Sequence, residues 1–205
     1  MPLFTTDIIR WEASSLLESR GLSANEINVR AEFLRESRTE RLADVPQEAS
    51  DKPAVRFDIF LSHSSLDSVL VLGLYKLLRR RRYTVYVDWI HDPMLNRAKV
   101  DRDTCRNLRY RMAQCRCLFV ATTTNIPKSA WVPWELGFFD GWNGKPAVLP
   151  IVPAAASSFN RQEYFELYPL ARDSGAGDRP NDIEVWELHV GTFKWGTWLM
   201  IPRKF

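Results

Sequence analysis

The chain is poor in the residues that announce several common chemistries. It holds three cysteines and three histidines in 205 residues. Cys105, Cys115 and Cys117 are odd in number and bunched, which suits reduced thiols in a cytoplasmic protein better than a disulfide framework. Cys115 and Cys117 have one residue between them and no histidine nearby, so no metal site is expected. No run approaches the roughly 20 consecutive apolar residues of a membrane span. Met1 to Asp7 lacks a basic stretch followed by an apolar one, so no secretory signal is expected. The nine glycines form neither a P-loop nor a dinucleotide fingerprint, which sets kinase and dehydrogenase readings aside. Charge of one sign is missing too: the net is +3. Residues 1–55 hold 7 Lys/Arg against 10 Asp/Glu, and residues 56–205 hold 21 against 15. The basic second part suits an anionic nucleotide; a solvated mixed surface explains it equally well.

Hydrophobic residues make up 45% of the chain, enough for a core and one domain with an extension. Residues 1–45 read as a helical extension. Ile8, Ile9, Leu16 and Leu17 suggest one apolar stripe, and Ile27, Ala31 and Leu34 another. Residues 46–55 read as a linker, with Pro46 and Pro53 bracketing small and charged residues.

From Arg56 onward, strand and helix patterns alternate, giving a domain over 56–205. Phe57 to Leu61 is a short, mostly apolar strand of the buried parallel type. Ser64 and Asp67 match a capping box ahead of a helix carrying Leu66, Leu70, Leu74, Leu77 and Leu78, closed by Arg79 to Arg82. Further strands are expected at Thr84–Asp88, Cys117–Ala121, Ala147–Val152 and Ile183–Val190. A helix with Cys105, Leu108, Met112 and Cys115 on one face precedes the third of these five. Another, near Pro133 to Trp142, follows it. The alternation predicts an α/β, doubly wound, mainly parallel five-stranded sheet covered on both faces. Ligands in such sheets bind beyond the carboxyl ends of the strands, which selects Ser62-His63-Ser64, Asp88-Trp89 and the stretch Thr122 to Glu135.

Three of these stretches carry a resemblance. Phe57-Asp58-Ile59-Phe60-Leu61-Ser62-His63-Ser64 is similar to the opening strand of Toll/interleukin-1 receptor (TIR) domains. Val85-Tyr86-Val87-Asp88 resembles the second TIR strand, which ends in an acid before the BB loop. Ser129-Ala130-Trp131-Val132-Pro133-Trp134-Glu135-Leu136 resembles the Ser-x-Trp-x-x-x-Glu-Leu motif of enzymatic TIR domains. The match runs from about Arg56 to Val152 in the family's order. It implies a flavodoxin-like TIR fold and cleavage of NAD+ at the nicotinamide–ribose bond. The product would be ADP-ribose or a cyclic or conjugated form, made in bacterial antiphage defence. NAD+ is then substrate rather than cofactor, and self-association or contact with other TIR or defence proteins is implied, with no direct nucleic-acid ligand. Glu135 stands at the catalytic position and Trp131 four residues before it. The loop Trp89 to Asn96 has Pro93 but lacks the glycine that follows it in many family members.

The chemistry can be weighed residue by residue. Cleaving an N-glycosidic bond passes through an oxocarbenium-like state, which a carboxylate stabilises. Nicotinamide leaves a cationic pyridinium as a neutral molecule, so no second acid is needed. Glu135 is expected to reach an open cleft and hold the ribose. The bland reading is an acid favoured by a helix dipole. Trp131 and Trp134 read equally as core. Ser62, His63 and Ser64 could bind substrate, with His63 a candidate base, although Ser64 also reads as a simple cap. Asp88 could bind a ribose hydroxyl, Trp89 could stack on a base, and Arg97, Lys99, Arg102, Arg106 and Arg109 would suit a pyrophosphate. Two other functions fit the same fold: a non-catalytic TIR interaction module, and a nucleoside deoxyribosyltransferase-like enzyme.

Overall fold

The computed structural model describes residues 3–22, 53–95, 97, 101–154, 156, 163–175 and 182–202. The stripe expected at Ile27, Ala31 and Leu34, most of the linker, and Lys99 lie outside them.

Among the described residues, eight strands form one sheet. They are β1 (Phe4–Thr5), β2 (Phe57–Ser62), β3 (Val85–Tyr86), β4 (Cys115–Thr122), β5 (Pro146–Val152), β6 (Leu170–Asp173), β7 (Ile183–Glu187) and β8 (Gly191–Lys194). Their order is β3-β2-β4-β5-β6-β7-β8, with β1 added in parallel to β5 through Phe4 and Ile151. From β3 to β6 all pairings are parallel; β6, β7 and β8 form an antiparallel meander. The parallel, doubly wound sheet is the one expected. It has eight strands rather than five because β1 and β6 are short and β8 follows the strand read as last.

The helices are α1 (Thr6–Glu18), α2 (Ser68–Arg80), α3 (Asp88–His91), α4 (Arg102–Ala113), α5 (Trp131–Asn143) and α6 (Trp195–Met200). Successive strand residues point to opposite faces, so the sheet sorts its own core. Ile59, Leu61, Val85, Cys117, Phe119 and Leu149 face α1, α2 and the tail residues Trp195 and Trp198. Phe60, Tyr86, Leu118, Val120 and Val148 face α4 and α5 through Leu108, Met112, Val132, Leu136 and Phe139. The chain leaves β2 for β3 on one side and enters β4 on the other. Crossovers on opposite faces therefore diverge at β2, which makes its carboxyl end the switch point.

The first helix is part of this body. Ile9, Ala13 and Leu17 recur every fourth residue and are fully buried against α2. A side chain on Gly73 of α2 would collide with the backbone carbonyl of Ile9, so only glycine lets the two helices approach this closely. The buried carboxylate of Glu12 lies between Lys76 at 3.4 Å and Arg80 of α2, compensating a charge that burial alone would forbid.

Ser64 and Asp67 do not form the expected capping box. Ser64 Oγ accepts from the Leu66 amide at 3.3 Å and its carbonyl accepts from the Asp67 amide, so the four residues make a turn before α2 begins at Ser68. No described helix is long and apolar enough to cross a membrane.

Candidate functional site

The site lies at the carboxyl end of β2. Ser62 is the last residue of that strand, and α5 begins with Trp131 after the loop that leaves β4. Glu135 sits one turn into α5. Its position four residues after Trp131 puts both side chains on the face turned toward the sheet. Ser62 Oγ donates to Glu135 Oε2 at 2.5 Å. The second oxygen, Oε1, accepts from Arg97 Nη2 at 2.5 Å. Arg97 Nη1 donates to Asp88 Oδ2 at 2.6 Å. One guanidinium thus bridges two carboxylates, while its plane lies 5.7 Å from the centre of the Trp131 ring. Trp131 in turn donates its indole N–H to the Arg97 carbonyl at 2.7 Å, which fixes the backbone of the residue that supplies the cation.

His63 completes the polar wall. Its Nδ1 is 2.9 Å from the Leu61 carbonyl, which can only accept, so Nδ1 carries a proton. Nε2 then faces Asp88 Oδ1 at 3.4 Å, an oxygen with no hydrogen bond of its own. Burial pushes the Asp88 carboxyl up, but Arg97 and then His63 outweigh it and hold its pKa at about 2. Burial likewise works against the charge on Arg97, and the charges of Glu135 and Asp88 overcome it, so the guanidinium is held more firmly protonated than usual.

The structure therefore joins Ser62, His63, Asp88, Trp131 and Glu135 in one cluster. It adds Arg97 as a central member rather than a basic residue awaiting a pyrophosphate. Two expectations fail. Glu135 is not the exposed carboxylate expected: it is fully buried, with Arg97 and Ser62 on its two oxygens. Among the described residues, a cavity of about 390 Å³ lies at the amino end of β5, between Gly144, Pro146, Tyr168 and Trp198. Trp89 does not offer a face for stacking. Asp88 to His91 coil into the short α3, which turns the Trp89 ring into the core beside α2, 3% exposed. Ser64 is buried but spends its hydroxyl on the turn before α2. Trp134 is only half-buried and packs edge-on against Trp131 and flat against Phe138. Among the described residues no group of three or more His, Cys, Asp or Glu could hold a metal ion.

Chemically, the cluster is a cage for one planar, delocalised cation. It has two carboxylates on either side, an aromatic face against it, and a hydroxyl and an imidazole that orient the carboxylates.

No protein-family model matches the chain. Two curated bacterial relatives do. One is the "Probable 3' cyclic ADP-D-ribose synthase ThsB'" of Bacillus cereus (strain MSX-D12), 49% identical over 131 residues, spanning 63% of this chain and 67% of that protein. The other is the "Putative cyclic ADP-D-ribose synthase TIR2" of Cytobacillus dafuensis, 31% identical over 83 residues, spanning 40% of this chain and 22% of that protein. With that identity and coverage, and with this sheet and site, the chain belongs to the bacterial TIR-domain family of which these two proteins are members.

Proposed function

We propose that the chain cleaves NAD+ between nicotinamide and ribose and closes the remaining ADP-ribose into a cyclic product, the class of activity its relatives are named for. The observation that carries this reading is the Glu135–Arg97–Asp88 cage. A bound pyridinium, and the oxocarbenium that follows it, are planar delocalised cations like the guanidinium they replace. Arg97 pairs with both carboxylates and withdraws when substrate enters, so the buried charges stay compensated throughout.

The C1–N bond breaks with its electron pair going to the ring nitrogen, and nicotinamide departs neutral. Glu135 stabilises the positive charge left on the sugar, oriented by the Ser62 hydroxyl. A hydroxyl oxygen then attacks C1 and passes its proton to the Glu135 carboxylate. If the hydroxyl belongs to the ADP half, the product is cyclic; if it is water, the product is linear ADP-ribose. Trp131 and the buried apolar floor keep water scarce, which favours ring closure. The reading extends to antiphage defence and to self-association, as the family resemblance implies.

Incubation of the purified chain with NAD+, with mass identification of products, tests this. Release of nicotinamide with a cyclic product, lost in Glu135→Gln, is expected. An interaction module would release none, and a deoxyribosyltransferase would exchange bases on deoxynucleosides instead.

A further inference from the structure

We infer that Asp67 is a positioning residue for this site, an inference that rests on the proposed NAD+ cleavage. Asp67 occupies the position just before α2, where an aspartate ordinarily turns its carboxylate back onto the helix's first free amides. It does not do so here. The same chain shows the ordinary behaviour at Asp101, which accepts from the Thr104 amide at 2.8 Å at the start of α4.

Asp67 instead reaches to the loop that follows β4. Its Oδ2 accepts from Thr123 Oγ1 at 2.5 Å and its Oδ1 from Asn125 Nδ2 at 2.8 Å. Thr123 Oγ1 also accepts from the Asn125 amide at 3.1 Å, which closes a ring of hydrogen bonds. Asp67 itself is buried, and Thr123 and Asn125 are half-buried. An ionised acceptor makes both inter-loop bonds stronger than neutral ones.

The consequence follows from what the two loops carry. The first leaves β2 immediately after Ser62 and begins with His63. The second passes through a 3-10 turn at Ile126–Lys128 into α5, with Trp131 and Glu135 in its first two turns. Asp67 therefore sets the separation between the hydroxyl–imidazole wall and the carboxylate–indole wall. It touches neither the cage nor any reacting atom. Its effect on chemistry runs through the Ser62–Glu135 contact and through how tightly the sugar is enclosed.

Kinetics and exchange on the full chain test this. Asp67→Ala should lower kcat about tenfold with KM changed less than about threefold, as misplacement of reacting groups does. It should also shift product from cyclic toward linear ADP-ribose, a split that a merely structural loss would not move. Asp67→Asn, which can still accept from Thr123, should recover most of both. Thr123→Val should lower kcat about threefold alone and add nothing to Asp67→Ala, since neighbours sharing one interaction are non-additive. In hydrogen exchange, Asp67→Ala should speed the amides of residues 123–136 and spare β5. Unchanged kcat, product ratio and exchange in Asp67→Ala overturns the inference, as does full additivity with Thr123→Val. If the unaltered chain releases no nicotinamide, the NAD+ reading fails, and the exchange arm alone decides whether Asp67 positions α5.

Discussion

Arg97→Ala is the change whose consequence runs furthest against intuition. Removing the guanidinium leaves Glu135 and Asp88 facing each other across a buried cage, with the loss of two hydrogen bonds of 2.5 and 2.6 Å. Breaking a buried ion pair from one side costs about 3–5 kcal/mol of stability. The same guanidinium is also what a substrate cation must displace. Two charge-assisted hydrogen bonds contribute roughly 1.5–3 kcal/mol each, partly repaid when the freed charges meet water. A net opening cost of about 3 kcal/mol leaves on the order of 1% of molecules open, and apparent affinity falls by that fraction. Arg97→Ala removes the cost, so kcat/KM for nicotinamide release should rise on the order of tenfold to a hundredfold while the denaturation midpoint falls. Adding Asp88→Asn should return part of the stability, because one orphaned charge disappears. Initial rates at low NAD+, read beside a urea titration, give both quantities. A folded Arg97→Ala chain that is no faster than the parent at low NAD+ would refute the reasoning.

Two other perturbations test the frame and the electrostatics. Gly73→Ala should destabilise by about 3 kcal/mol, because a methyl group meets the Ile9 carbonyl. If α1 did not pack there, the better helix former would stabilise by about 1 kcal/mol, so the sign in a urea titration decides. Asp88 ionises near 2 rather than its usual 3.8, so the folded state holds its proton less tightly than the unfolded state. The resulting stabilisation, about 2 kcal/mol, is complete above the usual value and drains away as pH falls toward 2. Asp88→Asn should flatten that segment of the acid-unfolding curve; an unchanged slope there would contradict the assignment.

The parallel sheet was legible because its central strands are mostly apolar runs. Phe57 to Leu61 and Cys117 to Ala121 read as buried strands, and the helices between them have clear four-residue repeats. Glu135 and Trp131 were legible through a short motif at fixed spacing, as were Ser62, His63 and Asp88 through their places at strand ends. What stayed hidden depends on long-range contact. Arg97 lies in a polar loop, where its only local signal was a run of basic residues. Its role arises from 38 residues of separation between it and Glu135. Asp67 shares its spacing from Ser64 with a capping box, and only the fold shows the carboxylate turned to Thr123. Trp89 looked like a loop residue because Pro93 follows it, yet the short α3 rotates it into the core. β1 has two residues, too few to carry a period.

The proposed chemistry depends on the carboxylate of Glu135. The most direct measurement is the single-turnover rate of nicotinamide release by Glu135→Gln, with NAD+ binding followed separately. An amide keeps the shape but cannot answer developing positive charge. The rate at saturating NAD+ should fall by about a thousandfold or more. A folded Glu135→Gln chain that releases nicotinamide within about tenfold of the parent rate would contradict the account.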